Sequence, residues 1–202
     1  MTTTSLPRGR HKLSREEVAA AQRSRILRGM ADAMTDNGYA GTVVADIIKR
    51  AGVSRETFYQ QFASKQDCFV AALEAAIERL AAALAPARPG GGTPVQQLDR
   101  IVGAYLDALA AEPATARLFL IETYAAGPEA MRRRLALQRR FIDGLAEIVG
   151  ARTERERFAC EALVATLVSL VTARFVEDDP AGLPGLREPI VTLAAQLLAR
   201  DP

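Results

Sequence analysis

A hydroxyl-bearing residue followed three positions later by an acid recurs at Ser14 and Glu17, Ser64 and Asp67, and Thr153 and Glu156. Such a pair satisfies N–H groups that the first turn of a helix leaves without partners, so each one marks a helix start. Pro94, Pro113 and Pro128 sit where further helices would begin, at the first helical position, where a missing N–H costs nothing. Gly38, Gly52 and Gly150 sit where helices would stop. Between these marks Val18, Ile26, Met30, Ala33 and Met34 roughly follow one helical stripe, and the chain shows neither a strand-like alternation nor an internal repeat. The expected fold is all-α, with about nine helices. They start at Ser14, Val43, Ser54, Ser64 (to about Leu84), Pro94, Pro113, Pro128, Thr153 (to about Val176) and Arg187 (to about Arg200). The break from Pro86 to Thr93 is a loop.

Charge divides the chain more sharply than its formal net charge of +2 suggests. Residues 1–65 hold 11 Lys/Arg against 6 Asp/Glu, whereas residues 66–202 hold 15 against 18. A basic head on a mildly acidic body is the footprint expected when one end meets a polyanion. Three regions follow: a flexible basic arm at 1–13 (Arg8, Arg10, His11, Lys12), a head at 14–65, and a body at 66–202. The arm reads either as a solvated tail or as a strand of charge that reaches an adjacent minor groove.

The head contains Thr42-Val-Val-Ala-Asp-Ile-Ile-Lys-Arg-Ala-Gly-Val-Ser-Arg-Glu-Thr-Phe-Tyr-Gln-Gln-Phe-Ala-Ser-Lys65. It reads as two short helices joined by Ala51-Gly52-Val53-Ser54. Gly52 permits a left-handed backbone, Val53 fills the interior and Ser54 caps the next helix. On that helix Phe58 and Phe62 lie four residues apart and face inward. Glu56, Thr57 and Gln60 lie opposite, flanked by Arg55, Tyr59 and Gln61. A short helix with a polar outer face and an aromatic inner face suits major-groove reading, and the helix-turn-helix spans about 43–62.

At these residues the sequence resembles the tetracycline-repressor (TetR) family. The pattern is carried by Ile26-Leu27, Gly38-Tyr39, Thr42, Asp46-Ile47, Ala51 to Ser54, Thr57 to Tyr59, Phe62 and Ser64-Lys65, and covers about residues 22–80. The resemblance implies that Thr42 and the start of the second helix meet phosphate, and that Ser54, Arg55, Glu56, Thr57, Gln60 and Gln61 lie where base and backbone contacts are made. It implies that Tyr59 and Lys65 bind phosphates. Val43 and Ala45 stand at contact positions where many relatives carry Thr and Arg. Two readings stand for Glu56: it accepts from cytosine N4, or it favours the helix dipole. Tyr59 likewise reads as a core aromatic or as a phosphate contact.

The helix at 153–176 carries Leu163, Val164, Leu167, Val168, Leu170 and Val171 around most of its circumference. Such a helix must be covered on every side, by a dimer partner or by the centre of a large monomer. At about 1.5 Å per residue it is long enough for a standard interface. Ala162, Ala165, Ser169 and Thr172 form a small-residue face that admits a partner helix. The resemblance implies a four-helix bundle across a two-fold axis, built from helices 153–176 and 187–200 of two copies. It also implies a pocket for a small-molecule effector in the body. Tyr105, Phe119, Glu122, Tyr124, Phe141 and Thr166 are its candidate lining residues, being polar or aromatic within apolar helices. The runs Arg132 to Arg134 and Arg139-Arg140 read as an attractor for an anionic effector or as a solvated face.

Other classes lack their signatures. The one histidine lies in the arm, and no Glu-x-x-His pair, HExxH, Walker loop or nucleophile motif occurs, so no enzyme, metal or cofactor is expected. Cys68 and Cys160 lack CxxC spacing and read as small core residues in a reducing cytoplasm. No apolar run reaches membrane-spanning length and no secretory h-region opens the chain, so a cytoplasmic protein without membrane contact is expected. The function implied is a sequence-specific DNA-binding regulator, a repressor released from a palindromic duplex operator by a small ligand. The alternative is a helical small-molecule-binding or interaction protein without gene-specific DNA binding.

Overall fold

The computed structural model describes residues 14–87 and 91–197. The basic arm at 1–13 and the last three residues of the helix expected at 187–200 lie outside the described residues. Nine α-helices and no strand occur among them: α1 (Arg15–Gly41), α2 (Val44–Ala51), α3 (Arg55–Gln61), α4 (Lys65–Leu84), α5 (Pro94–Ala111), α6 (Pro113–Leu120), α7 (Pro128–Val149), α8 (Glu154–Val176) and α9 (Arg187–Leu197). Short 3₁₀ segments occupy Ala85–Ala87, Glu122–Tyr124 and Pro180–Leu186.

The caps close as their chemistry requires. The Ser14 hydroxyl accepts from the Glu17 N–H, while the Glu17 carboxylate accepts from the Ser14 N–H at 2.6 Å. Thr153 and Glu156 form the same reciprocal pair. At Ser64 the hydroxyl caps the Asp67 N–H, and the Asp67 carboxylate accepts from the N–H of Ala63, one residue earlier than in the reciprocal pair. Gly38 ends the regular run of the first helix, as expected. Its backbone is non-helical at φ 62° and ψ 173°, and a short turn follows across this kink to Gly41. A left-handed residue there costs a glycine little and would cost a side chain on the order of 1–2 kcal/mol.

In the head, α1 packs on α2, α3 and α4. Ile26, Met30, Ile47, Phe58, Phe62 and Phe69 are buried at this junction, and the same apolar cluster continues into the body through Leu106, Leu118 and Phe175. Arg25 donates to the Gly52 carbonyl at 2.7 Å and Asp36 pairs with Arg50, tying the turn and α2 to α1. In the body, α5 is clasped to α9 by Arg187, which donates two 2.8 Å hydrogen bonds to Asp99. This contact holds the Asp99 carboxyl below the usual carboxylate range.

A single copy does not cover α8 on every side, which goes against its lying at the centre of a large monomer and is compatible with its being covered by a second copy. Leu163, Val164, Val171 and Phe175 are buried, but Phe158 is 69%, Leu170 39% and Val176 67% exposed. The helix also has length and mean hydropathy enough to cross a membrane, since Glu161 and Arg174 interrupt the apolar run without lowering its average much. In this fold its inner side packs on α6, α7 and α9.

Candidate nucleic-acid interface and ligand cavity

The Gly52 turn, at φ 59°, sets α3 across α2, and the Ser54 hydroxyl accepts from the Thr57 N–H at 3.0 Å to start the helix. Phe58 and Phe62 anchor its inner face. Arg55, Glu56, Tyr59 and Gln60 are exposed, and Thr57 and Gln61 half-buried. The Arg55 guanidinium stacks 5.4 Å from the Tyr59 ring, and the Gln60 amide donates to Glu56 at 3.3 Å. These donors and acceptors form one solvated strip, with Val43 and Ala45 exposed at the start of the adjoining helix.

Two residues of the predicted set occupy other positions. Thr42 is fully buried; its hydroxyl donates to the Gly38 carbonyl at 2.7 Å and lies 3.3 Å from that of Ala33. Committed to carbonyls, it braces the turn and presents no hydroxyl to a phosphate. Lys65 is half-buried, and its ammonium donates at 2.8 Å to the carbonyls of both Tyr39 and Thr42 while sitting 4.2 Å from the Tyr39 ring. Two of its three protons therefore close the turn internally.

In the body a cavity of about 340 Å³ lies between the end of α4 and helices α5, α7, α8 and α9. Its walls are mainly aliphatic, with Leu84, Leu98, Ile101, Leu163 and Leu167 among them, as expected of a small-molecule site. Tyr105 and Phe141 line it, their rings meeting edge-on at 5.8 Å. Phe119, Glu122, Tyr124 and Thr166 do not. Phe119 is a core ring, the exposed Tyr124 lies under the Arg134 guanidinium, and the Thr166 hydroxyl donates back to Ala162. Glu122 is buried at the junction of head and body, where its carboxylate accepts from the Tyr39 N–H. Nearby, the Gln66 amide donates to the Ala126 carbonyl at 2.7 Å. Sequence periodicity could not reveal this junction, because its partners lie 83 and 60 residues apart. Arg140, singled out in sequence only as part of a basic run, borders the cavity. Among the described residues, no group of His, Cys, Asp and Glu is placed to hold a metal ion.

Comparison with known proteins fits this geometry. Residues 26–72 match the family described as bacterial regulatory proteins, tetR family. The transcriptional activator FasR of Mycolicibacterium smegmatis is 25% identical over 169 residues, 82% of this chain and 74% of the relative. The transcriptional repressor KstR of the same organism is 33% identical over 97 residues, 48% of each chain. A crystal structure of the regulator FadR from Bacillus subtilis, in complex with stearoyl-CoA, superposes with a TM-score of 0.70 at 20% identity, covering 85% of this chain and 96% of that one. Residues 26–72 thus form a tetR-family domain, and the chain as a whole is similar to bacterial transcriptional regulators.

Proposed function

We propose that this regulator binds a palindromic duplex operator as a homodimer and is released from it when a small molecule fills the cavity in the body. The observation that carries this reading is the connection between cavity and head. Helix α7 forms part of the cavity wall, and the segment immediately before it, residues 121–127, holds the head through Glu122 and Gln66. A ligand that moves α7 therefore acts on Tyr39 and Gln66, which flank the helix-turn-helix. It shifts the equilibrium only by its differential affinity for the two arrangements, and about 1.4 kcal/mol suffices for a tenfold loss of operator affinity.

Dimerisation is supported by the uncovered side of α8. Ala165 and Ser169 are exposed in the middle of the helix, between the exposed Phe158 and Val176. Small residues between two apolar anchors admit a second helix at close range, and a two-fold interface buries the same face of both copies. The contacts assigned to the operator are the exposed side chains of α3, with Tyr59 on phosphate and Gln60 on a base edge.

The direction we propose is repression relieved by ligand, in line with KstR by its name; FasR, named an activator, carries the opposite reading. Gel shifts with the DNA flanking the gene, with and without ligand, test operator release. Transcription from the adjacent promoter tests direction, since a transcript that rises when the gene is deleted supports repression and one that falls supports activation.

A further inference from the structure

The cavity wall is hydrocarbon apart from Tyr105, Arg140 and Glu147. Tyr105 is 5% exposed, yet its hydroxyl makes no hydrogen bond to any described residue. Unlike the enclosed Nε atoms of Arg117 and Arg174, this hydroxyl keeps some accessible surface, and with Tyr105 lining the cavity it is available to donate to a group inside it. Arg140 is exposed at the rim and makes no ion pair or hydrogen bond among the described residues, unlike Arg132 and Arg133 on the same helix, which pair with Glu129 and Glu74.

These two donors stand together. The Tyr105 ring meets Phe141, the neighbour of Arg140, so both are at one turn of α7, whereas Glu147 lies seven residues on, about 10 Å along the axis. The buried guanidinium of Arg134, six residues before Arg140 and outside the cavity lining, donates to the Phe119 carbonyl, and its charge opposes the burial that raises the pKa of the Tyr105 phenol. Two donors without acceptors, at one end of an apolar cavity, complement an oxyanion on a hydrocarbon body.

We infer that the cavity takes an amphipathic anion, its hydrocarbon part between α5, α7 and α8 and its oxyanionic group at the Tyr105–Arg140 end. This inference rests on the cavity being the ligand site proposed above. The shared chemistry has two sources, a free carboxylate or a thioester whose negative charge resides on phosphates.

Calorimetry on the full chain without DNA tests it, using dodecanoate, dodecanoyl-CoA, dodecanol and dodecylamine. At least one anion binds about tenfold or more tighter than dodecanol, the scale of one hydrogen bond to a charged group. Whichever of the two binds tighter identifies the source. Arg140→Ala removes most of that preference, Arg140→Lys restores part of it, and Tyr105→Phe narrows it. Equal affinity for anion, alcohol and amine overturns the inference, as does preference for the amine, absence of binding by either anion, or an anion preference that survives Arg140→Ala. A separate gel shift keeps the two readings apart. An anion held through Arg140 that leaves the operator complex intact defeats operator release and sustains this inference, and release by a neutral or cationic ligand alone does the reverse.

Discussion

The carboxylate of Glu122 accepts the backbone N–H of Tyr39 at 2.6 Å, joining the body of the protein to the turn that precedes its helix-turn-helix. Tyr39 is buried, so losing this acceptor leaves an N–H without water to replace it. Glu122→Ala is expected to cost about 1.5–3 kcal/mol of stability, the range for a hydrogen bond to a charged group, and Glu122→Gln less, since an amide oxygen still accepts. Hydrogen exchange at the Tyr39 amide reads the bond directly. Unaltered protection in Glu122→Ala would remove Glu122 from the junction.

Lys65 and Tyr59 are expected to part company when tested side by side. Lys65→Met keeps the stem but loses both carbonyl contacts, and should lower the melting temperature as well as DNA affinity. Tyr59→Phe, at an exposed position, should leave the melt almost unchanged. A neutral phenol on a phosphate releases no counterion, so Tyr59→Phe should weaken specific and random duplex alike while the salt slope stays nearly constant. Anisotropy titrations across a salt series, paired with thermal melts, check both. A Lys65→Met protein with the parental melt would show that the internal clamp carries no stability.

Gln60 hydrogen-bonds to Glu56 in the free protein, so base reading requires that bond to be exchanged for one to DNA. Gln60→Ala should change preference at one operator position per half-site by about 1–3 kcal/mol while binding to random duplex stays nearly constant. Selection from a randomised operator measures this, and an identical consensus for both proteins would exclude Gln60 from base reading.

Ala165 lies exposed in the middle of the uncovered side of α8. Ala165→Arg is expected to weaken self-association by roughly 2–4 kcal/mol, as for a disrupted interface centre, with little change in monomer helicity. Sedimentation velocity over a concentration series reports it. A variant that sediments as a dimer throughout would place the interface elsewhere.

The sequence by itself determined the helical class, most helix starts and the polar outer strip of α3. Those properties depend on residues within a few positions of each other: Ser14 with Glu17, Gly52 before Ser54, Phe58 four residues before Phe62. Side-chain caps and helical spacing act at short range, and their chemistry is legible without a fold. The turn from Gly38 to Gly41 was not legible, because its backbone is held at Tyr39 by Glu122 and Lys65, 83 and 26 positions further along the chain. The roles of Thr42, Lys65 and Glu122 were decided by tertiary structure for the same reason. Each is polar, and a polar residue faces a ligand, a phosphate or a buried carbonyl according to what distant segments bring beside it. Tyr105 and Arg140, 35 residues apart in the sequence, acquire their common end of the cavity only when α5 packs against α7.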